Sequence, residues 1–178
     1  MKAFKNILAL FVICSMTLTA SAQSKKDKKV IKEADAAVKT LLEVNPGLKD
    51  FFDKSAGCVI FPNVGKGGFI IGGASGNGVL YQYGHKKGMA VLKEVSVGLQ
   101  AGGQALIEVI FFEQLEDVEK FKEEKFEFDA GISAVALKSG ESLDAKYKDG
   151  VAVFTHSKAG LMAEASVGGQ KFSYKAFE

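Results

Sequence analysis

Apolar residues recur at two different periods along this chain, and the change of period divides it into a helical start and a long β-rich remainder. From Val30 onward the apolar positions Val30, Ile31, Ala34, Ala37, Val38, Leu41 and Leu42 fall at helical spacing, which predicts an amphipathic helix ending near Val44. Asn45-Pro46-Gly47 stops it, and Pro46 is placed to begin a short second helix through Leu48, Phe51 and Phe52 that closes at Gly57. Beyond it the apolar residues come in short runs, Cys58 to Phe61, Phe69 to Ala74, Val79 to Tyr83 and Met89 to Leu92, punctuated by glycine. Between Gly57 and Gly103 lie 13 of the 20 glycines. Glycine inside an element costs backbone entropy, so its recurrence in β-prone segments marks bulges, bends or close approach of another backbone. Turns are predicted at Gly76-Asn77-Gly78 and at His85-Lys86-Lys87-Gly88, and a long paired region from Val95 to Phe112 is broken at Gly102-Gly103. The charged stretch Glu113 to Glu127 places Leu115, Val118 and Phe121 on one side of a helix of about three turns. Four more strands are expected around Phe128 to Leu137, Val151 to Thr155, Leu161 to Val167 and Lys171 to Phe177. The expected fold is α+β: N-terminal helices, then a strongly curved, mostly antiparallel glycine-rich sheet that curls towards a barrel, with one further surface helix.

The first 22 residues carry the three parts of a secretory signal peptide: Lys2 and Lys5, the apolar run Ile7 to Ile13, and the small-residue site Ala20-Ser21-Ala22. That run is shorter than the ~20 residues a spanning helix needs. The mature chain is therefore expected to start at Gln23, with residues 23–29 as a charged flexible lead-in and 30–178 as one domain. Cys14 goes with the leader, and Cys58 is then the sole mature cysteine, a small buried hydrophobe in the run Cys58-Val59-Ile60-Phe61 with no internal disulfide partner. Losing Lys2 and Lys5 takes 23 basic residues to 21 against 21 acidic ones, so the net charge falls from +2 to zero and a strongly cationic nucleic-acid binder is excluded. All 23 basic residues are lysine. Without the planar fork of arginine, anion binding has to use lysine point charges or backbone amides.

Few residues offer catalytic chemistry. The two histidines, His85 and His156, give no recognisable ligand spacing for zinc, and neither a metal nor a cofactor is expected. A nucleophile pair of Cys58 with His85 or His156 is opposed by the apolar run, which would raise the thiol pKa and hide it. Glu116 with Asp117, and Glu123 with Glu124, read as a solvated helix face. The glycines from Gly73 to Gly78 lie between strand-like runs with no helix following, which favours a hairpin turn over a phosphate cradle. Gly65-Lys66-Gly67-Gly68 sets a lysine among glycine amides that could face an anion. Lys25, Lys26, Lys28, Lys29 and Lys32 beside an apolar helical face fit either an interfacial membrane helix or an ordinary packed helix behind a solubilising tail.

Three ordered blocks carry a family resemblance: Ala56 to Phe69 with Gly73 to Leu80 following it, Ser96 to Gln104, and Phe154 to Gly169. Together they resemble the SYLF domain, a lipid-binding module of secreted bacterial proteins and of eukaryotic phosphoinositide-binding and actin-associated proteins. The resemblance implies a non-enzymatic module, exported to the periplasm or beyond, that associates with acidic phospholipid or a membrane surface. Lys66 and Lys158 lie in matching blocks and become the headgroup candidates, with Lys86 and Lys87 in the turn as further ones. Actin is not an expected partner, since export removes the chain from the cytoplasm. The rival reading is a structural envelope protein whose sheet binds a protein partner or self-associates. A hydrolase comes last, for want of a nucleophile and base at recognisable spacing.

Overall fold

The computed structural model describes residues 25–124, 127–128, 134–139, 143 and 145–177, without the side chains of 98–100, 127–128 and 160–168. The leader, the start at Gln23 and residues 129–133 of the strand expected from Phe128 to Leu137 lie outside these residues.

Helix α1 spans 25–44 and α2 spans Leu48–Lys54. In α1 the stripe Val30, Ala34, Ala37 and Leu41 is buried, as the spacing predicts. The charged residues 25–29 belong to this helix instead of forming a flexible lead-in. Once the stripe fixes the following turns, lysines add on with good helix propensity. Asn45 closes α1 through its N–H to the Leu41 carbonyl, and its side-chain oxygen accepts from the Gly47 N–H at 3.0 Å.

Three long strands dominate the remainder. Strand β1 is Gly57–Gln82, β2 is His85–Phe112 and β5 is Val151–Ala176, with α3 at Leu115–Lys122 and the short strands β3 (Glu127–Phe128) and β4 (Val135–Ala136) between them. The ladder runs β1-β2-β5-β3 with antiparallel pairing, and β4 pairs parallel with β5. At about 3.3 Å per residue a straight 26-residue strand would span roughly 85 Å. Instead β1 doubles back about a bend near Ile70, whose φ is +68°. A Cβ built on Gly78 would lie 2.6 Å from the carbonyl oxygen of Ile60 and 2.6 Å from the Phe61 ring, so only glycine admits this approach. Across the fold the Phe61 and Phe172 rings meet at 6.0 Å.

Several predicted breaks are absent for that reason. Gly76, Asn77 and Gly78 continue β1 opposite Leu92, Val91 and Ala90, and Gly102 and Gly103 continue β2 opposite Gly68 and Gly67. The hairpin turns one step earlier than predicted, at Tyr83-Gly84, where φ values of +52° and +73° suit a two-residue turn, and His85 to Gly88 already belong to β2. The expected barrel is not formed among the described residues. Strand β1 folds back on itself near its middle, and it lies at one end of the ladder with β3 at the other.

Two apolar clusters result. The inner one lies between the folded halves and joins Val59, Phe61 and Val64 to Ala74, Leu80, Leu92 and Phe172, closed by Val118 and Phe121 of α3. The outer one seats α1 and α2 on Cys58, Ile60, Val109, Phe111 and Phe154. Helix α3 is shorter than the charged stretch suggested, and Asp117 is buried instead of solvated. It accepts the Gln114 N–H at 3.2 Å in a capping box.

Candidate functional site

Because successive residues of a strand alternate faces, the inner positions of β2 read Leu92, Glu94, Ser96 on one half and Leu106, Glu108, Ile110 on the other. Two carboxylates thus point into the fold. Lys66 of β1 pairs with Glu94 at 3.0 Å, their side chains only 17% and 9% exposed. Gln170 of β5 donates to Glu94 at 3.1 Å and, at a longer 3.5 Å, to Glu108. The other oxygen of Glu108 is buried without a partner. Burial pushes the Glu108 carboxyl up to about 7, the Gln170 hydrogen bond opposes that rise, Glu94 adds to it and Lys66 reduces it. None of Glu94, Glu108 and Gln170 was singled out by the sequence reading. A lone glutamate at an inward-alternating position of Leu106-Ile107-Glu108-Val109-Ile110 was the available signal.

Lys66 is therefore engaged inside the fold and is not presented to an incoming anion on a glycine loop. Lys158 serves elsewhere: its ammonium donates to the Pro62 carbonyl at 3.3 Å and to the Asn63 side-chain oxygen, while Asn63 donates to Glu33 of α1 at 2.9 Å. The structure thus gives the two headgroup candidates different partners. Lys86 joins Asp35 of α1 at 2.9 Å. Lys87 is exposed, and its carbonyl accepts the Tyr174 hydroxyl at 2.9 Å. Lys25, Lys26, Lys28, Lys29 and Lys32 are exposed on α1, whose apolar stripe is spent on the sheet. Among the described residues no helix is long and apolar enough to cross a membrane.

Among the described residues the largest group of exposed apolar side chains lies at the bend. Helices α1 and α2 cover the outer face of the half of the sheet that holds Ile60 and Phe111, and among the described residues no helix covers the outward positions near the bend. Phe69 is 75% exposed and Val95 67%, and Ile70, Ile71 and Val97 are exposed beside them. They are neighbours by register: Ile71 pairs with Val97, and Gly73 with Val95. The next outward row back from the bend is Ser75, Lys93 and Lys171, with the two lysines directly opposite one another. A β-branched residue at positive φ is a backbone outlier costing on the order of 1–3 kcal/mol, so Ile70 is held at this surface by the fold around it. Contiguous exposed apolar surface of this kind marks an interaction site.

Cys58 sits in the outer cluster, its thiol pushed up to about 12 by burial. Reaction with a thiol reagent is expected to be slow in native protein and fast in denaturant, and the two rates measured side by side check it. Comparable rates would place the thiol at the surface.

Residues 93–176, from the middle of β2 to the end of β5, match the family described as Ysc84, Las17-binding protein actin regulator. A curated relative, Beta cell expansion factor A of Aeromonas veronii, is 30% identical over 142 residues, covering 78% of this chain and 53% of that protein. The chain thus spans about half the length of that relative.

Proposed function

The chain belongs, over residues 93–176, to the Ysc84 (SYLF) family, and from that premise we propose that it is an exported, non-enzymatic module that associates with lipid membrane through the bend of its sheet. The observation that carries this reading is the exposed group Phe69, Ile70, Ile71, Val95 and Val97 backed by the row with Lys93 and Lys171. A tip of this design suits the boundary between headgroups and acyl chains. The apolar residues enter, and the lysines stop at the level of acidic headgroups, each contributing about 1 kcal/mol near a charged surface. The leader-like residues 1–22 support export, and a buried Cys58 held as the neutral thiol supports a binding role over catalysis.

Burying one large apolar side chain stabilises by about 1.5–3 kcal/mol when complete. Half of that for each of Phe69 and Ile71 gives about 2 kcal/mol, or roughly 30-fold in partitioning. Wild type is expected to sediment with vesicles of phosphatidylcholine containing phosphatidylglycerol, more weakly with phosphatidylcholine alone, and less as salt rises. The double variant Phe69→Ser with Ile71→Ser should bind those vesicles roughly 30-fold less with an unchanged thermal midpoint. Equal binding by the variant removes the tip. A wild type that ignores vesicles but is dimeric, with a monomeric double variant, moves the assignment to self-association.

A further inference from the structure

Away from the bend, where the two ends of β1 meet the helices, a cleft of about 570 Å³ opens between α1, α2 and the two halves of that strand. We propose that it is a binding site for one single-chain anionic amphiphile, an alkyl chain ending in a carboxylate. This site is separate from the bend and goes beyond the bilayer reading.

The walls come from apolar side chains that the outer cluster leaves only partly covered: Val38 and Leu42 of α1, Phe52 of α2, and Tyr81 of β1, with the buried Ile60 behind them. Such a volume is typical of a small-molecule cleft.

The charges at the mouth choose the head of the ligand. Asp35, Lys39, Lys49 and Asp53 all line the cleft. Asp35 is already neutralised, by Lys86 at 2.9 Å and by the Tyr81 hydroxyl at 2.9 Å, and Asp53 is held by Lys49. Lys39 is exposed at the same mouth and, among the described residues, has no carboxylate partner. An incoming carboxylate finds an ammonium there and two acids whose charge is already spent. A cationic amphiphile would find the reverse.

The test uses dodecanoate, below its micelle concentration, titrated calorimetrically into the mature full-length protein. Saturable one-to-one uptake is expected, at least tenfold weaker in Lys39→Glu and in Val38→Phe, the latter filling the cleft with an apolar ring. Dodecyltrimethylammonium, with the same chain and the opposite head, should bind at least tenfold more weakly than dodecanoate. Thermal midpoints near that of wild type show that both variants are folded. The double change at Phe69 and Ile71 should leave dodecanoate uptake intact. Vesicle binding by Lys39→Glu should likewise be unchanged, so this proposal and the membrane reading can fail separately. No saturable uptake, equal affinity for the two heads, or loss only in the double variant at the bend overturns the assignment.

Discussion

Replacing Glu108 with Gln should make the protein more stable at pH 8 and leave it nearly unchanged near pH 4.5. Glu108 is 3% exposed, and its carboxyl is pushed from an ordinary 4.5 up to about 7, so the folded state holds a proton that the unfolded chain releases. Stability from this group is fully present below pH 4.5 and declines as pH rises through the folded value near 7, above which no more is lost. The difference of about 2.5 units corresponds to about 3 kcal/mol. The physical origin is crowding of charge. Once Glu108 ionises, two interior carboxylates share Lys66, Glu94 already holds that lysine at 3.0 Å, and one oxygen of Glu108 has no partner. Glutamine keeps the shape and removes the titration. Denaturant midpoints of both proteins from pH 4.5 to 8.5 provide the measurement, and the difference profile cancels every other titrating group. Parallel profiles would show that Glu108 is ionised in the folded protein without penalty.

The helices were legible because their signal is local. The stripe Val30, Ala34, Ala37 and Leu41 repeats within a few turns, and Asn45-Pro46-Gly47 stops it by rules of the backbone alone. Burial of Cys58 was legible in the same way, from its apolar neighbours. The middle of the sheet was not, because a glycine has two meanings that the chain spells identically. Gly76-Asn77-Gly78 has the composition of a hairpin turn, yet it runs straight through β1 because Gly78 must pass against Ile60, far away in sequence. The lysine site shows the same limit. Lys66 stands among glycines that suggest an open anion cradle, and it faces inward only because Glu94, on the neighbouring strand, is brought opposite by the bend. Phe69-Ile70-Ile71 reads as a core strand in any window of sequence, and whether a helix covers it is decided by where α1 and α2 land, at the other half of the sheet.

Phe69 and Phe111 make that last point measurable, for each lies in an apolar run of a long strand and their replacement by Ala should have opposite consequences. Phe111 is fully buried, with its ring 5.5 Å from Phe51, 4.8 Å from Phe52 and 5.8 Å from Phe154, so it fastens α2 to the sheet. Truncation removes these aromatic contacts and leaves a cavity between two rigid elements that can close only partly. A loss of about 3–5 kcal/mol is expected, and with it a fall of roughly 10 °C in the thermal midpoint. Phe69→Ala takes a mostly exposed ring from the bend and should change stability by less than about 0.5 kcal/mol. Its effect should appear only in vesicle binding. Chemical denaturation of the two variants under one condition decides the matter. A loss of under about 1 kcal/mol for Phe111→Ala would mean that α2 is not held by the aromatic cluster, and a large loss for Phe69→Ala would mean that the ring at the bend is covered in the folded protein.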